Sequence, residues 1–297
     1  MTGGERKSAA AEAIGALSRI NSETVRSGLD LPKSGQVYDL ELELNSRIPH
    51  IQNSCASRSF THTPEGIDAL SPFQYSVECV FGALHTGPHI DTFIHIQKGG
   101  RIYGGHSASE SRDDRGWKRH GVERVPPILG RAICLEIPRL KGLGRLPDRY
   151  EVTVDDLKQE LARAGQAIRS GDIVIVRTGK IQDFGDEAAF QAAEPGVGRN
   201  AALWLYERGM SVLGTDTTGA EPLPFDDPAV TTHGAVRRKG RAPDRKPLSR
   251  GRLAGWRARR SVHRFAAQDH RRDWLLDPAH PRGLRVPRAS LFNDARS

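Results

Sequence analysis

The stretch His85-Thr86-Gly87-Pro88-His89-Ile90-Asp91-Thr92-Phe93-Ile94-His95 gathers three imidazoles and one carboxylate into a single short segment. Neutral imidazole nitrogen and carboxylate oxygen are the donors that Zn²⁺ and Mn²⁺ take. His85 and His89 stand four residues apart, as on one face of a helix, yet Gly87 and Pro88 lie between them. Proline removes a backbone donor and clashes with the preceding turn. The spacing therefore predicts a tight loop that folds the side chains onto one point. The plain alternative is a histidine-rich surface loop; four candidate ligands at this density favour a metal site.

Outward from this loop the chain alternates strand and helix patterns. Tyr75–Phe81 (YSVECVF) reads as a strand that delivers the chain into the loop, and Val37–Leu44 (VYDLELEL) alternates as a half-buried strand does. Glu5 to about Ser27 carries Ala, Ile and Leu at near-helical spacing, which predicts an amphipathic N-terminal helix. Arg101–Arg124 is polar and Gly-rich, a loop. Ala132–Ile137 reads as a strand, and Ile173–Arg177 (IVIVR) as a central one. Thr153–Ala164 opens with a capping Thr and acids in the first turn, a helix start. Gly198–Arg208 reads as a helix packing Leu203, Trp204 and Leu205, and Ser211–Gly214 as a short buried strand. No internal repeat is present. The mixture predicts a single α/β or α+β domain.

The net charge of +8 misleads as an average. Gly234–Ser297 holds 16 Arg and 2 Lys against 5 Asp and no Glu, a net of +13, which leaves −5 for residues 1–233. The basic signal belongs to the tail alone. Cys55, Cys79 and Cys134 are odd in number and widely spaced, so they read as buried or idle thiols of a reducing compartment. No apolar run reaches the length of a membrane span, and the N-terminus lacks a secretory pattern. A cytoplasmic protein with a small-molecule substrate, no nucleic-acid or membrane partner and, if folded, a homo-oligomeric state is expected.

HTGPHIDTFIH resembles the signature HxGTHxDxPxH of the cyclase family of metal-dependent hydrolases, which includes kynurenine formamidase and isatin hydrolase. Further blocks follow in the family's order: GGRIYGG, VPPILGRAICLEI, TVDDLKQEL, GDIVIVRTGK, EPGVGRNAALWL and SVLGTDTTGAEPLP. The resemblance covers about Val37 to Phe225 and implies a compact α/β fold with a swivelling β/β/α arrangement. Carried over position by position, His85, His89 and Asp91 match the metal ligands, with Zn or Mn as the cation, and His95 matches the general acid/base. Pro88 stands where Thr is usual, and Thr92-Phe93 where Ala-Pro or Ala-Leu is common; no ligand is lost. A cation site and a histidine of ordinary basicity together suit hydrolysis of an amide, lactam or formamide C–N bond, or of an ester. A core or outer-layer role is the alternative for His95. His106 reads as surface, and Asp216 as a packing or turn residue.

The resemblance divides the chain into an N-terminal extension (1–34), a cyclase-like domain (35–232) and an Arg-rich tail (233–297). Family members continue past this point with a His, a later Glu, an apolar strand and a KIxGATGS segment. None is present as protein. Read one nucleotide later, with permissible codons, Gly234–Pro247 becomes VQFVEKGVHLIENL and Arg260–His280 becomes EVFIALPLKITGATGSWIRPI. A frame slip between about Pro222 and His233 accounts for both matches, and the tail is then expected to be irregular and not native-like. The lost segment would supply a core strand and the Glu completing a second metal position; His233 stands at or beside the distal His. A metal-dependent amidohydrolase, damaged in its C-terminal part, is the leading reading. A nucleic-acid-binding protein using the tail and a non-catalytic metal-binding remnant are the alternatives. The acidic body and the absence of a nucleic-acid-binding motif weigh against the former.

Overall fold

The computed structural model describes residues 14–43, 48–49, 58–62, 77–224, 256–257 and 266–267. All belong to one compact unit, Met1–Ala267; a second, Gln268–Ser297, lies outside the described residues, as does His233. In chain order, a 3₁₀ turn (Gly15–Arg19) leads to α1 (Ser22–Leu29), then β1 (Arg58–His62), β2 (Val77–Phe81), β3 (His89–Ile90), β4 (Arg112–Asp113) and β5 (Gly116–Trp117). The larger part follows: β6 (Arg131–Glu136), α2 (Ile137–Leu140), β7 (Glu151–Val152), α3 (Val154–Arg163), β8 (Ile173–Arg177), α4 (Glu187–Ala192), β9 (Gly196–Val197), α5 (Arg199–Glu207) and β10 (Val212–Thr215). Two tail dipeptides, β11 (Trp256–Arg257) and β12 (Ala266–Ala267), complete the set.

The main sheet has the order β10-β8-β6-β12, all parallel. Ile173–Arg177 is the inner strand expected from its unbroken apolar run, because both sheet faces are covered. Val174 and Val176 pack with Ile133, Leu135 and Leu213 beneath Leu157 and Leu161 of α3 and Ala202 and Leu205 of α5. On the other face Ala132, Ile173 and Val212 pack with Leu17 from the N-terminal turn. The fold is α/β. Thr153 caps α3 as its sequence predicts: its hydroxyl accepts from Asp156 N at 3.2 Å, and Asp156 accepts from Thr153 N at 2.9 Å.

Three expectations are corrected. The N-terminal helix is divided, since Asn21 caps a new helix by accepting from Glu23 N and Thr24 N. Residues 37–43 form no strand, and Val37 is 63%, Tyr38 55% and Leu40 43% exposed. Alternation prepares a strand, but a ladder needs a neighbour, and the described residues provide none. The 101–124 loop contains the β4–β5 hairpin. Of the tail, only two dipeptides are among the described residues. β12 pairs with β6, and β11 pairs with β3 in the register Trp256↔Ile90 and Arg257↔His89. Edge pairing uses backbone N–H and C=O groups and requires no side-chain period.

Among the described residues no helix is long and apolar enough to cross a membrane. Burial pushes the Cys134 thiol up to about 11, so at neutral pH it remains protonated and unreactive.

Candidate metal centre

β2 ends at Phe81, and the chain then bends without helix to Pro88, as the Gly87-Pro88 pair requires. Gly87 has φ of +60°, and a Cβ there would come within 2.6 Å of Ile48 Cδ1. The positive φ favours glycine at the bend between the first two histidines, and the end of the Ile48 side chain would have to move aside for a Cβ. β3 presents His89, and a turn closed by His95 N donating to Thr92 O at 3.1 Å folds His95 back toward Asp91.

The donor atoms of His85, His89 and Asp91 lie within 4.8 Å of one another, the one such group of three among the described residues. His85 Nδ1 is 2.7 Å from Asp91 Oδ1, and His89 Nε2 is 3.4 Å from the same oxygen. His89 Nδ1 meets the Gly87 carbonyl at 2.7 Å. With the proton on Nδ1, that contact leaves the Nε2 lone pair facing Asp91, the arrangement that orients imidazole ligands in metalloproteins. His85 Nδ1 is buried yet makes no hydrogen bond. The two imidazole nitrogens and the carboxylate oxygen are thus gathered where one cation could be held.

His95 stands beside this group. Its Nε2 is 3.9 Å from Asp91 Oδ2, the other carboxylate oxygen, and its ring stacks on His85 at 4.0 Å and 28°. The side chains of His89 and Asp91 are each 13% exposed, those of His85 and His95 37% and 31%. The anchored pair sits inside and the stacked pair lines the solvent side.

Other residues singled out in the sequence lie elsewhere. Asp216 accepts from Thr178 N (2.7 Å), Thr178 Oγ1 (2.8 Å) and Gly179 N (2.8 Å), tying the end of β10 to the end of β8. Its role is the expected turn. His106 is half-buried rather than on the surface, its ring 5.9 Å from that of His120.

Glu194 was not singled out by its sequence, since Glu-Pro-Gly reads as a surface turn. It is 2% exposed and accepts from Thr218 N and Gly219 N, both at 2.7 Å, holding the loop after β10. Burial pushes its carboxyl up to about 7, against the two backbone N–H groups and Lys180, which favour the anion. A carboxyl raised above its unfolded value of 4.5 stabilises the fold fully below pH 4.5. That contribution is lost as pH rises through about 7 and is on the order of 3 kcal/mol in total. Denaturation midpoints at pH 5 and pH 8 should differ less in Glu194→Gln than in the parent. Equal differences in the two proteins would show that Glu194 does not titrate there.

Among solved structures the chain is similar to a novel cyclase, with 23% identity, a TM-score of 0.68, and coverage of 74% of this chain and 79% of that one. It is also similar to isatin hydrolase A from Ralstonia solanacearum (21% identity, TM-score 0.51, 68% and 74% covered). An isatin hydrolase bound to the product analogue thioisatinate gives 19% identity and a TM-score of 0.50, with 73% and 82% covered. These likenesses are likenesses of fold. No curated protein matches the sequence. The cyclase family model matches residues 38–222, more than half of the chain and the whole span of the site just described, and on that ground the chain belongs to the cyclase family.

Proposed function

We propose that the chain carries the site of a metal-dependent hydrolase acting on a C–N bond of a small cyclic or acyclic amide or formamide. His85, His89 and Asp91 would hold a divalent cation, Zn²⁺ or Mn²⁺, and His95 would move the proton. The observation carrying this reading is the convergence of two imidazoles on one oxygen of Asp91, with His85 Nδ1 buried and without a hydrogen bond. The family membership and the isatin hydrolases of similar fold support it.

When bound, the cation supplies a positive charge that acidifies water and polarises a carbonyl oxygen. The protein's own contribution is division of labour on one carboxylate. Oδ1 of Asp91 faces the two ligand imidazoles, and Oδ2 faces His95. His95 can therefore take a proton from the attacking water and return it to the departing nitrogen, which leaves as a neutral amine only once protonated. Its partial exposure keeps it in reach of substrate.

The test is metal content together with hydrolysis of an aryl formamide and of a lactam, by this chain and by a version with the frame restored after about Pro222. Chelation should abolish turnover, and frame restoration should raise metal content and turnover together. Stoichiometric metal with no turnover in the restored protein would leave only a metal-binding remnant, and no metal in either would remove the reading altogether.

A further inference from the structure

We infer that Phe93 is a positioning residue for the metal loop: its ring, pegged between Gly15 and Tyr103, fixes how Asp91 and His95 face one another. The inference rests on the metal-centre reading above.

Phe93 lies two residues beyond Asp91 and two before His95, inside the turn that His95 N closes on Thr92 O. Its ring stacks on that of Tyr103 at 4.8 Å and 29°. Tyr103, 7% exposed, comes from the GGRIYGG block. The ring of His120 meets Phe93 at 5.9 Å and Tyr103 at 5.3 Å, both near edge-on. The His120 backbone is left-handed, with φ 54°. Such a conformation is uncommon outside glycine and persists where surroundings enforce it. On a further side, a Cβ at Gly15 would come within 2.9 Å of Phe93 Cζ, and Gly15 itself has φ of +56°.

Three segments remote in sequence thus close on one ring of the metal loop. The turn it stabilises sets the 3.9 Å separation of His95 Nε2 from Asp91 Oδ2. Misplacement of about 1 Å at a site of this kind can cost about 10²-fold in rate.

The experiment uses the full chain loaded with Co²⁺, whose visible absorption reports coordination geometry. Phe93→Leu and Gly15→Ala, which acts on the ring from the opposite side, should each weaken Co²⁺ binding about 10–100-fold and change the spectrum. Phe93→Tyr should retain both affinity and spectrum. Leu161→Ala, a cavity in the α3 core, should lower Tm with the spectrum unchanged. Parental affinity and spectrum in Phe93→Leu and Gly15→Ala, or an equal change in Leu161→Ala, would overturn the positioning role alone. Failure of the parent chain to bind Co²⁺ would overturn the metal-centre reading and this inference with it.

Discussion

The double variant His89→Ala/Asp91→Ala should retain no stoichiometric Zn²⁺ or Mn²⁺ after dialysis. His89 is the imidazole whose orientation the Gly87 carbonyl fixes, and Asp91 is the carboxylate on which the His85 and His89 imidazoles converge. Loss of a single outer-layer partner of a metal ligand costs about 10–100-fold in affinity. Removing two of the three proposed donors goes beyond that, leaving His85 alone of the group. Metal analysis of parent and variant, paired with circular dichroism to show that the fold survives, checks the outcome. Undiminished metal in a folded double variant would remove His89 and Asp91 from the ligand set.

Turnover is where His95 should declare itself. In the frame-restored protein His95→Ala should lose about 10²–10⁴-fold in kcat, the contribution of a positioned general acid/base, while keeping most of its metal. The structure supplies the reason for that separation. His95 faces the oxygen of Asp91 turned away from the ligand pair, and its ring lies flat against His85 rather than pointing with it. Steady-state kinetics alongside metal content distinguishes the roles. Parallel loss of metal and turnover would make His95 a ligand.

The parts readable from sequence are those where local chemistry and tertiary need coincide. Ile173–Arg177 is apolar along its length because helices cover one face of the sheet and the N-terminal turn the other. Thr153 and Asp156 are a cap in any surroundings. The gathering of His85, His89 and Asp91 follows from a bend that glycine and proline force within five residues. Where a feature depends on a partner distant in sequence, the pattern is silent. Nothing near Phe93 announces that Gly15, Tyr103 and His120 will close on it, and nothing near Glu194 announces the two N–H groups of Thr218 and Gly219. The N-terminal pattern continues through residue 20, and only the capping strength of Asn21 ends it. The pairing of Ala266–Ala267 with β6 draws on backbone alone, which composition does not encode.

The exposed segment at Val37–Glu43 has a bearing on how the protein behaves in a tube. Three large apolar side chains, Val37, Tyr38 and Leu40, stand in solvent on a backbone that pairs with no strand among the described residues. Asp39, Glu41 and Glu43 alternate with them, so two copies of this segment brought side by side place like charges against each other. Electrostatics is thus the guard against self-association, and it is a guard that salt dismantles. At about 1 M ionic strength the screening length falls to about 3 Å. High-salt purification, ordinarily chosen to keep an Arg-rich tail off polyanions, would then strip the repulsion and strengthen apolar contact. Solubility of this chain should therefore pass through an optimum at intermediate salt, set by its two ends pulling in opposite directions.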